Sequence, residues 1–300
     1  MVEARESTPH PQRSFETSDE IQKIVDSQPS SIILIPYTSR IAGVAVAERR
    51  KGSASNREAR IRLSAYSAFV TKAAELLGSF GASDQYIATG ENSFGSKYPS
   101  TAELMRDQLS DDGVDSQRIM VLGGLQDTDQ QFQGMKTLTS EKPELMRNPV
   151  YIAMDFHKKR VERKRNDNHL PGTVVSAEGI FMEYFRRKYT QLQTENQDQY
   201  RLELRARAID PYDPEAYDKL IEHHRHQLDT FTTPEIFRAE RLFQSLTSLG
   251  FVGDLALKPL RAVRGQTVTD RHSLETARAH EKKARKFIKE GELQPGDFNT

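Results

Sequence analysis

The densest group of side chains that could do chemistry lies in Asn-Pro-Val-Tyr-Ile-Ala-Met-Asp-Phe-His-Lys-Lys-Arg, residues 148–160. An apolar run from Val150 to Met154, bounded by Pro149, turns abruptly polar at Asp155. A run of this kind, rich in β-branched and aromatic residues, reads as a buried strand. Asp155, His157 and Arg160 then fall at its carboxyl end. There the loops of an open α/β sheet face a crevice, and the next helix presents its amino terminus. Histidine titrates near neutral pH when unperturbed, so His157 is the candidate acid or base. Arg160, three residues on, shares a helix face with it. A His/Arg pair at a helix start suits recognition of a phosphate or carboxylate. The blander account is a solvated basic helix, since Lys158, Lys159, Arg163, Lys164 and Arg165 surround the pair.

Other strand exits offer similar groups. Gly90 follows the short run Tyr86–Thr89, and Gly123-Gly124 follows Arg118–Leu122. Glycine there permits a tight turn and lets a ligand approach main-chain N–H groups. Plain strand-to-loop turns explain these glycines as well. Glu91 and Asn92 come next; a carboxylate at that place can act as a base, bind a hydroxyl or hold a cation, or simply be solvated. Ser100 is a candidate ligand contact and a natural N-cap for a helix running to Leu109. Asp127 and Thr128 stand at another helix start, where they either cap it or aim a hydroxyl and helix amides at an anion. Arg40 ends the loop Tyr37-Thr38-Ser39-Arg40 and could hold the same anion as Arg160. The chain has no G-x-G-x-x-G and no Walker A sequence, which disfavours the standard grips on dinucleotides and nucleotide phosphates. A magnesium shared by Glu91, Asp127 and Asp155 is disfavoured, and no metal is expected. His223, His224 and His226 invite a metal reading, but adjacent histidines do not share a helix face well and no carboxylate stands at a familiar ligand spacing, so they read as a surface helix.

These groups need elements to position them. Ile32–Ile35 is the first strong strand, ended by Pro36. Its unbroken apolar character implies burial on both faces, as in a parallel sheet. Further strands are expected at 86–89, 118–122, 150–154 and 173–176, with helices between them at 60–77, 100–109, after 128 and at 157–165. A short helix is expected at 18–27, and residues 48–57 read as an exposed excursion. Alternation of strand and helix predicts an α/β domain with a mostly parallel sheet, all named loops on one edge. Ile180, Phe181, Tyr184 and Phe185 predict one more amphipathic helix. The chain then turns very polar, with helical patterns at 215–228, 234–249 and 272–289 and an apolar patch at 249–260. The expected organisation is a loose arm over 1–18, the α/β domain over 19–190 and a helical extension over 191–300.

Composition excludes several classes of chemistry. There is no cysteine, hence no thiol nucleophile, no disulfide and no cysteine-bound zinc or iron–sulfur cluster. The formal net charge is zero, so no global field draws the chain to nucleic acid or to an anionic membrane. The basic run at 158–165 lacks interleaved aromatics, which argues further against nucleic acid. The first residues lack the apolar core of a secretory signal, and no window is apolar enough to cross a membrane; a cytoplasmic location is the expectation.

The order of motifs resembles that of the YdcF-like family, the SanA/ElyC type. The residues that carry the resemblance are Ile32–Ile35, then Arg62-Leu63 with Ala65 and Ala68, then Thr89-Gly90-Glu91. Ser100-Thr101-Ala102 with Met105, Gly113-Val114, Asp127-Thr128 and His157-Lys158-Lys159-Arg160 complete it. The match spans about residues 30–178. Glu91 stands where the family has a second glycine, Thr101 where it prefers Glu, Asp127 for Asn, and Gln130-Gln131 for Glu-Asn. The resemblance implies a Rossmann-like three-layer fold with a pocket for a nucleotide-like or phosphorylated small molecule, and S-adenosylmethionine as a ligand linked to the family. On that reading Arg40 and Arg160 hold the anion, and Gly90, Gly123 and Gly124 supply backbone donors. His157 is the acid or base, and Glu91 or Asp155 orients it. The alternative is a binding module without turnover, whose helical extension contacts a protein partner or a second copy.

Overall fold

The computed structural model describes residues 15–36, 45–49, 59–63, 65–92, 99–125 and 128–230. Arg40, Asp127, the arm before Phe15 and the two helical patterns beyond residue 230 lie outside the described residues.

Five strands form one all-parallel sheet: β1 (Ile32–Leu34), β4 (Tyr86–Thr89), β5 (Ile119–Leu122), β6 (Val150–Ala153) and β7 (Thr173–Ser176). Their order across the sheet is β5-β4-β1-β6-β7. Each strand is short and apolar because it is covered on both sides. Alternation of side chains sorts the core into two layers. Ile32 and Leu34 face a cluster built from α1 (Ser18–Asp26), α2 (Ala65–Ser79), α3 (Thr101–Asp111) and α6 (Ala177–Glu195). Ile33, Ile87 and Tyr151 face a second cluster with Phe132, Met135 and Leu138 of α4 (Thr128–Glu141) and Val161 of α5 (Asp155–Asp167). The fold is therefore a three-layer α/β arrangement. A constant crossover hand demands this split, because helices change face where the strand order reverses direction.

The remaining pair, β2 (Ala45–Arg49) and β3 (Ala59–Leu63), forms an antiparallel ladder with Ala45 opposite Leu63 and Arg49 opposite Ala59. This corrects two expectations. The helix expected from residue 60 starts at Ala65, and the excursion expected from residue 48 begins inside a strand. Beyond α6, the helices α7 (Gln197–Ala206) and α8 (Ala216–Thr230) fold back on it. Tyr189, Tyr200, Leu204 and Leu220 form their shared core. The arm expected through residue 18 is corrected at its end, since Phe15 and Glu16 are buried.

Candidate functional site

A parallel sheet delivers every strand exit to one edge. Along that rim stand Ile35-Pro36 after β1, Gly90-Glu91-Asn92 after β4, Gly123-Gly124 after β5, Met154-Asp155 after β6 and Ser176-Ala177 after β7. The chain moves outward one way through β4 and β5, then the other way through β6 and β7. The reversal falls between β1 and β6, and such a switch point leaves a crevice outside the carboxyl ends of the two strands. The first turn of α5, with Asp155 and His157, sits at this point.

His157 is only 1% exposed, and its backbone N–H donates to the Met154 carbonyl at 2.8 Å. Burial, reinforced by the Arg160 charge, pushes its imidazole down to about 3. This corrects the expectation of a group titrating near neutral pH: at pH 7 the ring is neutral. Asp155 is half-buried, and its backbone N–H donates to Glu178 Oε2 at 2.8 Å. Arg160 and Glu91 are half-buried, Asn92 is exposed, and Thr128 is fully buried at the start of α4.

The glycines divide into different roles. A Cβ on Gly90 would stand 2.7 Å from Thr101 Cβ and 2.8 Å from the Ala102 nitrogen. What approaches Gly90 is thus the start of α3. Its N–H is also spent, donating to the Leu122 carbonyl at 3.2 Å. The expectation of a free backbone donor at Gly90 is corrected accordingly. Gly124 is exposed with φ +77°, a backbone state that favours glycine. Gly123 is exposed beside Ser100 Oγ, which a Cβ there would meet at 3.0 Å.

Ser100 caps α3 as its sequence suggests. Its hydroxyl donates to Glu103 Oε2 at 2.8 Å and accepts from the Glu103 N–H at 3.2 Å, while its own N–H donates to Glu103 Oε2 at 2.6 Å. With that capping box closed and the residue buried, Ser100 is committed to the helix, which corrects its place among the ligand contacts.

Residues that sequence reasoning passed over form a second polar group on the β7 side. Glu16 accepts from the Ser176 N–H at 3.0 Å, from the Ser176 hydroxyl, and from Lys158 Nζ at 2.5 Å. Ser176 in turn caps α6, accepting from the Gly179 N–H at 3.0 Å. Burial lowers the Lys158 ammonium, but Glu16, with the charges of Glu162 and Asp155, raises the group above its ordinary value. A serine ending an apolar run just before a helical pattern signals the cap. Nothing local signals its partner, which lies 160 residues away.

The histidine group on α8 is also reassigned. His224 is buried, not a surface residue; it stacks on Phe185 with ring centroids 3.9 Å apart and meets Tyr189 Oη at 3.0 Å. Burial, with Arg207 and His223 nearby, holds it down to about 4. Among the described residues no three His, Asp or Glu side chains gather in a metal-binding group, and no helix is long and apolar enough to cross a membrane. A cleft of about 720 Å³ opens at the opposite, amino edge of the sheet, among Ser30, Tyr86, Arg118, Ile119, Lys142 and Leu145. Its lining mixes the buried Tyr86 and Ile119 with the exposed Arg118 and Lys142, and no pattern in the sequence points to it.

Comparison with known proteins finds no matching family model, no matching curated protein and no matching solved structure.

Proposed function

We propose that this chain binds a phosphorylated or nucleotide-like small molecule at the switch point between β1 and β6. The strand order carries this reading: among the described exits, β6 brings a histidine, an arginine and a helix amino end to the place where open α/β sheets leave a crevice. Arg160 supplies charge for an anion, and Asp155 and Glu91 accept from hydroxyls. The order of motifs shared with the YdcF-like proteins supports the same ligand class, S-adenosylmethionine included.

The state of His157 favours binding without turnover. A buried imidazole held down to about 3 is a weak base at neutral pH, and the N–H it retains when neutral is far too weakly acidic to serve as a general acid. It serves as a neutral hydrogen-bonding group, and an acid or base role requires a ligand that restores its proton affinity. The extension beyond α6 supplies a surface for a protein partner or a second copy.

The test is a thermal-shift screen of nucleotides, sugar phosphates and S-adenosylmethionine, followed by Arg160→Ala and His157→Asn on any hit. A ligand at a hundred times its Kd raises the melting temperature by roughly 5–10 °C. The shift should shrink in Arg160→Ala. Product formation by the wild type that vanishes in His157→Asn would instead restore the enzyme reading. A screen in which no compound moves the transition at millimolar concentration removes the proposal.

A further inference from the structure

Phe15, Glu16 and Thr17 run along the β7 side of the rim. Thr17 caps α1 through a reciprocal pair with Glu20, which fixes the point where the segment enters the fold. Phe15 packs with Met182 of α6 and Leu228 of α8. Between them Glu16 joins three elements: Lys158 on α5, and the N–H and hydroxyl of Ser176, where β7 ends and α6 begins. A carboxylate at a helix amino end is favoured by the helix dipole. Gly179 makes room for it, since a Cβ there would stand 2.2 Å from Glu16 Oε2. A second strut runs the other way, from Glu178 of α6 to the Asp155 N–H. Two buried carboxylates thus fasten the first turns of α5 and α6 together, and one of them comes from outside the sheet and its crossovers.

We propose that residues 15–17 are a latch on the β7 side of the rim, with Glu16 as its bolt. Its release loosens the first turn of α5, which carries His157, while the sheet stays folded. The segment adds no strand to the sheet, and before its cap on α1 it is held by one carboxylate and one aromatic anchor, so Phe15 and Glu16 can open about Thr17 without unfolding the core. Because Phe15 shares its cluster with Leu228, the same latch ties α8 to the rim. The inference does not rest on the identity of any ligand: an empty ligand screen would leave it standing.

Hydrogen exchange on the full chain tests it, with Glu16→Gln and Gly179→Ala compared with the wild type. Glu16→Gln removes the ion pair but keeps the shape; Gly179→Ala keeps the charge but evicts the carboxylate. Both should raise exchange at His157 and Lys158 by about tenfold or more, with β1 and β4 within about twofold of the wild type. The amides of His157 and Lys158 bond to the Met154 carbonyl and not to Glu16, so faster exchange there is transmitted through the latch. If those two amides stay as protected as in the wild type in both variants, or if β1 and β4 exchange faster by the same factor, there is no latch.

Discussion

The buried imidazole of His157 should cost the fold stability in mild acid. Its ring sits at about 3 in the folded chain against 6.5 when solvated. The sign follows from proton binding. Between these two values the unfolded chain holds a proton that the folded chain does not, so lowering the pH favours unfolding. The stabilisation is complete above 6.5, declines as the pH falls below it, and is exhausted near 3. At pH 5 the unfolded ring is almost wholly protonated and the folded ring hardly at all, a difference worth about 2 kcal/mol relative to pH 8. Urea unfolding at pH 8 and pH 5 measures it, on the wild type and on His157→Asn, which cannot titrate. Other groups that respond in this range, His224 among them, contribute equally to both proteins and cancel in the comparison. The wild type should therefore lose about 2 kcal/mol more than the variant between the two pH values. Proton NMR of the folded wild type should show no titration of this ring around 6.5. Equal pH dependence in the two proteins, or a folded ring that titrates near 6.5, would refute the claim that His157 is shielded and neutral.

Two further substitutions test the rim. Gly90→Ala places a methyl against the backbone of α3, at 2.8 Å from the Ala102 nitrogen. Overpacking of that kind should lower the melting temperature by roughly 3–10 °C in a calorimetric scan, and an unchanged transition would mean the contact is absent. Ser100→Ala opens the capping box of α3 and should cost about 1 kcal/mol, read as a lower urea midpoint at constant m-value. A larger loss confined to ligand affinity would return Ser100 to the ligand contacts.

The sheet was legible because its strands are continuous apolar runs, and such runs are recognised without knowing their neighbours. Ile32–Leu34 and Val150–Ala153 end in the structure within a residue of their expected ends at Ile35 and Met154. The β2–β3 ladder was not legible for the opposite reason. Ala59–Leu63 continues into the pattern of α2, and only its pairing with Ala45–Arg49 separates strand from helix. Gly90 was located but misread. Its sequence shows that backbone must come close, and cannot show that the visitor is α3 rather than a ligand. The bond from Ser176 to Glu16 left no trace at all, since it joins residues 160 positions apart and follows no periodicity. His157 was placed correctly on α5, but its protonation depends on burial by side chains distant in sequence, which spacing along one helix does not encode.

The polar groups along the rim are unequally committed. Ser100 is spent on capping α3, the Gly90 N–H on β5's last carbonyl, the Asp155 N–H on Glu178, and the Ser176 N–H and hydroxyl on Glu16. The Glu178 and Glu16 bonds tie helix starts to neighbouring elements, the Gly90 bond ties the exit of β4 to β5, and Ser100 closes the start of α3 itself, so the flanks of the rim are held by the protein's own groups. In the proposed binding site, recognition falls to the centre, where β1 and β6 end and Arg160 and His157 stand on the first two turns of one helix. Rigid flanks suit such a crevice, because a group held by its neighbours costs little entropy to present to a ligand. The exception is the β7 flank, where the fastening group, Glu16, comes from the segment before α1 instead of the sheet's own crossovers. If the proposed latch holds, the first turn of α5 is the part of the rim whose order is open to control from outside the sheet.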